Sequence, residues 1–129
     1  MSIRVSAIQL AVADMARSLA FYRRLGLDIP ASADTEPHVH IELPGGIMMA
    51  WDTEETIRSF DPEWQRGTGH PVVLQVQVES RDEVDVVYKD MVAAGYTGHK
   101  EPWDAFWGMR YSKLRDPDGN DVDLCSPFD

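Results

Sequence analysis

The stretch from Ile8 to Gly26, IQLAVADMARSLAFYRRLG, contains a complete passage from strand to helix. Ile8, Leu10 and Val12 alternate with Gln9 and Ala11, the period of a strand with one wetter face. Asp14 offers a side-chain oxygen to the first turn of a helix. Met15, Leu19, Tyr22 and Leu25 then recur at helical spacing, and Gly26 supplies a left-handed C-cap. The same grammar returns 66 residues later, where Gln75, Val76, Val78 and Tyr88 stand in register with Gln9, Leu10, Val12 and Tyr22. Ser80 and Glu83 form a capping-box pair, Val84, Val87, Tyr88 and Met91 give an apolar stripe, and Gly95 ends the second helix. Tyr22 and Tyr88, both on apolar stripes, read as core residues.

Short strand-like runs follow each helix. In the first half they are His38 to Leu43 and Ile47 to Trp51, joined by the turn Pro44-Gly45-Gly46. In the second half they are Gly108 to Leu114 and Asp121 to Leu124, joined by Asp116-Pro117-Asp118-Gly119-Asn120. Extra strands are expected near Asp28 to Ala33 and near Tyr96 to Lys100. Each half thus reads as strand, helix, then two or three strands. The boundary falls near Arg66 to Pro71, where Gly67, Gly69 and Pro71 cluster. Halves of this size bury little surface alone, so the expectation is one domain over residues 1–129, made of repeat halves 1–66 and 67–129.

Composition is that of a globular chain rather than a disordered one, and the strand–helix pattern makes its class α+β. Of 129 residues, 43% are hydrophobic and 26% charged, and 12 Lys+Arg against 22 Asp+Glu give a net charge of −10. That balance argues against nucleic acid and anionic membrane as partners, because both are met by basic surface. It suits a neutral or cationic small molecule. Cys125 is the single cysteine, which excludes an internal disulfide and a thiolate zinc cluster. The opening Met1-Ser2-Ile3-Arg4-Val5 lacks the form of a secretory leader, and no apolar run is long enough to span a bilayer, so a cytoplasmic protein is expected.

The duplicated pattern, with Asp14, Ser18-Leu19-Ala20-Phe21-Tyr22 and Leu25-Gly26-Leu27 in one copy and Arg115-Asp116-Pro117-Asp118-Gly119-Asn120 in the other, resembles the vicinal oxygen chelate superfamily. That group contains glyoxalase I, bleomycin-resistance proteins, fosfomycin-resistance enzymes and extradiol dioxygenases. The resemblance implies two tandem βαβββ modules whose mixed sheets form an open cup, and a homodimer. It also implies a divalent metal at the base of the cup in catalytic members. Carried over residue by residue, the four ligand positions read Ala7, Ala50, Val73 and Asp123. Ala and Val offer no lone pair, and one carboxylate does not make a metal site. Gln9 and Gln75 lie two residues from the first-strand positions and point the same way along a strand. His70 falls three residues before Val73, on the opposite face of an extended chain.

Other residues bear on chemistry. His38, His40 and Glu42 alternate, so a strand puts all three on one face, either as a displaced ligand set for zinc or iron or as the polar side of an edge strand. Trp103, Phe106 and Trp107 fall within Glu101 to Arg110 and read as a loop entering the cup mouth, or as rings that plug the cup and build a dimer interface. Trp51 ends a strand as a further candidate wall, and Trp64 follows a short capped stretch from Asp52 to Phe60. Arg110 is read as a partner for a ligand anion or for Asp104 or Asp116, and Tyr111 as a hydroxyl in the same cavity. Cys125 has no activating cation beside it in sequence and reads as a buried, inert thiol.

The expected function is metal-independent binding of a small planar molecule in an aromatic-lined cup, as in bleomycin-resistance-type members. The expected ligand contacts are Trp51, Trp103, Phe106, Trp107, Arg110, Tyr111, Gln9 and Gln75. No cofactor is required in that reading. The alternative is a glyoxalase-like lyase or isomerase, or a dioxygenase, with Asp123 as base or a divalent metal displaced to His38, His40 and Glu42. A third reading fills the cup with its own tryptophans and leaves the protein to act through a partner.

Overall fold

The computed structural model describes Ser2, residues 4–69 and residues 72–128, so His70 and Pro71 lie outside it. The chain divides into two compact units, Met1–Gly67 and Thr68–Asp129, each with its own mixed sheet. None of the described helices is long and apolar enough to cross a membrane.

In the N-terminal unit, β1 (Ala7–Val12) leads into α1 (Met15–Leu25). Asp14 caps the helix by accepting from the Arg17 N–H at 3.0 Å, and Gly26, at φ 127°, closes it. Two further strands follow, β2 (His38–Glu42) and β3 (Met48–Thr53). The sheet order is β1-β3-β2, with β1 parallel and β2 antiparallel to the central β3. The turn between β2 and β3 rests on Gly45 and Gly46 at φ 96° and 87°, a region that side chains with a Cβ disfavour. A short helix, α2 (Glu54–Phe60), follows β3, capped by Thr53, whose hydroxyl accepts from the Thr56 N–H at 3.1 Å. Leu10, Val12, Met15, Leu19, Phe21, Tyr22, Val39, Met49 and Trp51 are among the buried residues of this unit.

The strand expected over Asp28 to Ala33 does not form. A 3₁₀ turn occupies Ala31–Thr35, and the Arg23 guanidinium donates to the carbonyls of Ile29 at 2.7 Å and Pro30 at 3.0 Å. The same guanidinium pairs with Asp34 at 2.7 Å. Carbonyls that a strand would direct to a neighbour are thus spent on a helix side chain.

The C-terminal unit runs β4 (Val73–Gln77), α3 (Arg81–Ala93), β5 (Thr97–Ala105), β6 (Met109–Arg115) and β7 (Asp121–Pro127). The sheet order is β4-β7-β6-β5, with β4 parallel to β7 and the other pairs antiparallel. The capping box is present: Ser80 Oγ accepts from the Glu83 N–H at 3.3 Å, and the Glu83 carboxylate accepts from the Glu79 N–H at 3.0 Å. Val84 and Met91 on α3 are fully buried, as are Leu114, Val122 and Leu124 on the facing strands. The repeat mates Tyr22 and Tyr88 diverge. Tyr22 packs against Trp51, with ring centroids 5.4 Å apart. Tyr88 lies over Gly98 so closely that a Cβ there would come within 2.3 Å of its hydroxyl.

β5 runs well past Lys100, through Pro102 and into the segment read as a loop. It does so as an edge strand with register shifts between Gly98 and Lys100 and between Lys100 and Trp103. An edge position with such irregularities is where a sheet accepts proline. Trp103 therefore sits on a strand, and only Phe106 and Trp107 occupy the turn, which Gly108 closes at φ 86°.

Candidate functional site

Strand pleating gives each sheet a helix-covered face and an open face. On the open face of the C-terminal sheet, the row Gln75–Asp123–Lys113 crosses β4, β7 and β6, and the next row is Gln77–Cys125–Tyr111–Trp103. Asp123 is only 3% exposed. Lys113 Nζ lies 2.6 Å from its Oδ1, and the Tyr111 hydroxyl donates to its Oδ2. Gln75 Oε1 lies 3.4 Å from the same hydroxyl. Lys113 Nζ also reaches Asp121 at 3.8 Å, and Arg115 Nε pairs with Asp121 at 3.2 Å.

The buried carboxylate governs its neighbours. Burial first, and then the hydrogen bond to Asp123, push the Tyr111 phenol well above its ordinary value of 10.0. Burial and the Asp123 charge likewise raise the Cys125 thiol above 9.0. Both groups stay protonated at neutral pH, so Cys125 is a packed thiol and not a nucleophile.

An aromatic cluster adjoins this polar row. Trp103 and Trp107 stand edge-to-face at 5.9 Å, and each meets Tyr111, at 5.4 and 5.1 Å. Lys100 Nζ lies 4.2 Å from the Trp103 ring centre. Phe106 packs on Trp107 at 4.9 Å but is 96% exposed at the tip of the hairpin.

Three expected ligand contacts are not on this face: Gln9 and Trp51 belong to the N-terminal sheet, and Arg110 to the helix side of its own. Trp51 is fully buried in the N-terminal unit on the face covered by α1, because its strand position alternates with Ala50 and Asp52. Its indole N–H has no hydrogen-bond partner among the described residues. Arg110 lies on the helix side of its sheet, where it pairs with Asp85 of α3 at 2.9 Å and with Asp104 of β5 at 3.2 Å. The Asp85 hydrogen bond is the main reason its guanidinium is raised above the ordinary arginine value. The expected partner Asp104 is present, while Asp116 instead ties its own turn by accepting from the N–H groups of Asp118 and Asn120, each at 2.9 Å.

On the open face of the N-terminal sheet, Gln9, Ala50 and His40 form one row and Ala11, Asp52 and His38 the next. Asp52, overlooked in the sequence, is 7% exposed and lies 2.5 Å from His38 Nδ1. His38 Nε2 lies 3.0 Å from His40 Nδ1. A pocket of about 210 Å³ is lined by Ala7, Gln9, His38, His40, Met48 and Ala50. A second, of about 250 Å³, is lined by Gln9, Asp52, Ile57, Phe60 and Trp64 among others. Arg58 and Arg66 approach the Trp64 ring at 5.2 and 6.0 Å, and both pair with Glu54.

Neither face fits a divalent metal of the kind the resemblance implies. Ala7, Ala50 and Val73 bring no donor atom, and both oxygens of Asp123 are engaged by Lys113 and Tyr111. His38 and His40 are turned toward each other and toward Asp52, not toward a shared point with Glu42. Among the described residues, no group of three or more His, Cys, Asp or Glu side chains is arranged to hold a metal ion. Sequence spacing had no means of marking Lys113 or Asp52, since each acts through a cross-strand partner.

Comparison with known proteins places these features in a lineage. The model of the Glyoxalase/Bleomycin resistance protein/Dioxygenase superfamily matches residues 4–124. A family enzyme of that description from Burkholderia phytofirmans PsJN shares the fold at TM-score 0.82 and 19% identity, over 95% of this chain and 98% of that one. A glyoxalase-related enzyme from Fulvimarina pelagi superposes at TM-score 0.75 and 19% identity, over 95% and 86%. TioX from Micromonospora sp. ML1 does so at TM-score 0.60 and 23% identity, over 97% and 99%. No curated protein matches the chain. Identities this low carry the fold and not the chemistry.

Proposed function

Because the chain belongs to the Glyoxalase/Bleomycin resistance protein/Dioxygenase superfamily, we propose that it is a binding member that holds a small planar molecule without a divalent metal. The observation that carries this reading is the state of Asp123. The one ligand-type residue at the four family positions is buried and saturated by an ammonium and a phenol, so a cation is already supplied by the chain. The same saturation disfavours Asp123 as a general base, because a proton acceptor needs a lone pair open to its substrate.

The ligand contacts in this reading are Trp103, Trp107 and Tyr111, with Gln75 at the edge and Phe106 as an exposed flank. Local charge refines the ligand class. The open face carries Lys100, Lys113 and Arg115 against Asp121 and Asp123, so the chain's acidic surplus is not concentrated there. A neutral or anionic planar molecule suits this face better than the cationic one expected from net charge. The repeated strand–helix grammar supports an origin of the two units by duplication, and family likeness supports a homodimer.

Elemental mass spectrometry on chelator-free protein offered nickel, zinc, manganese and ferrous iron is the direct test. Metal far below stoichiometric supports the reading; about one ion per chain sinks it. Titration of tryptophan emission with planar aromatic carboxylates should saturate, and Trp103→Ala should weaken that binding by about tenfold or more. Saturation only with cationic dyes would overturn the ligand class.

A further inference from the structure

We propose that Asp52, His38 and His40 form a directional proton relay whose outer end, His40 Nε2, accepts the proton of a bound ligand's acidic O–H. The site is built wholly from the N-terminal unit and is independent of the aromatic face described above.

With both imidazoles neutral, as the proposal takes them, donor and acceptor bookkeeping sets the direction. A carboxylate only accepts, so His38 Nδ1 carries the hydrogen across the 2.5 Å contact with Asp52. A neutral His38 then presents a bare Nε2, which the 3.0 Å contact satisfies only if His40 Nδ1 is the protonated nitrogen. His40 is left with a bare Nε2 on the far side of its ring, and His40 lines the pocket of about 210 Å³. In that state one buried carboxylate sets the tautomers of both imidazoles.

Proton uptake runs the chain in one sense. His40 Nε2 takes the ligand proton, and the O–H electron pair stays on the ligand oxygen. The hydrogen on His40 Nδ1 passes to His38 Nε2. The positive charge comes to rest on His38, directly against Asp52, which is 7% exposed. The charged groups around the relay favour this outcome. β2 contributes Glu42 on the same face as His40, β3 contributes Asp52, and β1 contributes only Ala7, Gln9 and Ala11. Glu54 of α2 is engaged by Arg58 and Arg66. Gln9 lines both pockets, and Ile57, Phe60 and Trp64 provide an apolar wall in the second. The ligand that fits is a small uncharged molecule with one acidic hydroxyl on an apolar body. In this scheme His40 is the group that touches the ligand, while His38 and Asp52 position it and take up the charge.

The test needs no unknown ligand. Long-range proton–nitrogen NMR on ¹⁵N-histidine-labelled wild-type protein reads the tautomers directly. The expected result is Nδ1–H on both His38 and His40 with an unprotonated His40 Nε2. A His40 found as the Nε2–H tautomer at neutral pH overturns the relay without any variant. The second arm titrates 4-nitrophenol as a chromophoric probe. Wild-type protein should lower its ionisation midpoint by about one pH unit on binding, and His40→Gln and Asp52→Asn should each abolish that shift. Glu42→Gln, outside the chain of hydrogen bonds, should keep most of it. No binding of 4-nitrophenol, or the same midpoint in wild type and His40→Gln, overturns the proposal.

Discussion

In the N-terminal unit the row Gln9–Ala50–His40 crosses β1, β3 and β2; in the C-terminal unit the row Gln75–Asp123–Lys113 crosses β4, β7 and β6. The glutamines are repeat mates, and each central strand carries a buried carboxylate on its open face. They differ in where it sits and what answers it. Asp123 lies in the glutamine row and meets a lysine and a tyrosine, whereas Asp52 lies one row along and meets a histidine. An ammonium with a phenol closes the cluster around its carboxylate. An imidazole leaves its second nitrogen to act further. Similar backbones thus support a static pair in one unit and a relay in the other.

The comparison breaks most severely at the aromatic residues. Trp51 and Phe106 both read as ligand contacts from the sequence, yet one is wholly buried and the other 96% exposed. Trp51→Ala should cost about 3–5 kcal/mol in urea unfolding, the usual range for removing a buried tryptophan. Next in size, Lys113→Met strands the Asp123 carboxylate. Because Lys113 keeps 23% side-chain exposure, the expected loss is about 2–3 kcal/mol, below the range for a fully buried pair. His38→Gln, at a histidine with 43% side-chain exposure, should cost about 1 kcal/mol or less. Equal losses at Lys113 and His38 would erase the distinction between closed pair and relay.

Alkaline pH sharpens the contrast further. Among the described residues, burial raises the Tyr88 and Tyr111 phenols and the Cys125 thiol, and the Asp85 hydrogen bond raises the Arg110 guanidinium, all in the C-terminal unit. For the tyrosines and the thiol, a folded pKa above the unfolded one favours the neutral form. Their stabilisation is fully present below the ordinary values of 9.0 and 10.0 and is lost as pH rises past them. Stability should therefore fall above about pH 9, and Tyr111→Phe should flatten that slope. A slope unchanged in Tyr111→Phe would refute the assignment. The smallest effect is Phe106→Ser, expected within about 0.5 kcal/mol of wild type by the same unfolding measurement.

Much of the fold was legible because it is written locally. Asp14, Gly26 and Ser80 with Glu83 mark helix ends through contacts a few residues apart, and all of these are formed. The missed strand at Asp28 to Ala33 turned on Arg23, whose reach to Ile29 and Pro30 depends on how the chain leaves α1. Pro102 suggests a break and so a loop in the aromatic segment, while an edge strand with irregular register absorbs it. Tyr111, Gln75 and Asp123 were marked as candidates, and the sheet brings these three together. Arg110 was drawn to the opposite face by Asp85, which lies 25 residues away on α3.

By itself, the sequence determined the α+β class, the duplicated strand–helix grammar, the caps, and the lack of donor atoms at three of the family's four metal positions. Each is a matter of periodicity, local hydrogen bonding or residue chemistry, which need no partner from across the sheet. Tertiary structure alone decided the rest: that Lys113 answers Asp123, that Asp52 answers His38, and that Trp51 turns inward while Phe106 turns out. These depend on cross-strand register and on which side of the pleat meets the helix. A one-residue slip would reverse them with no change in composition.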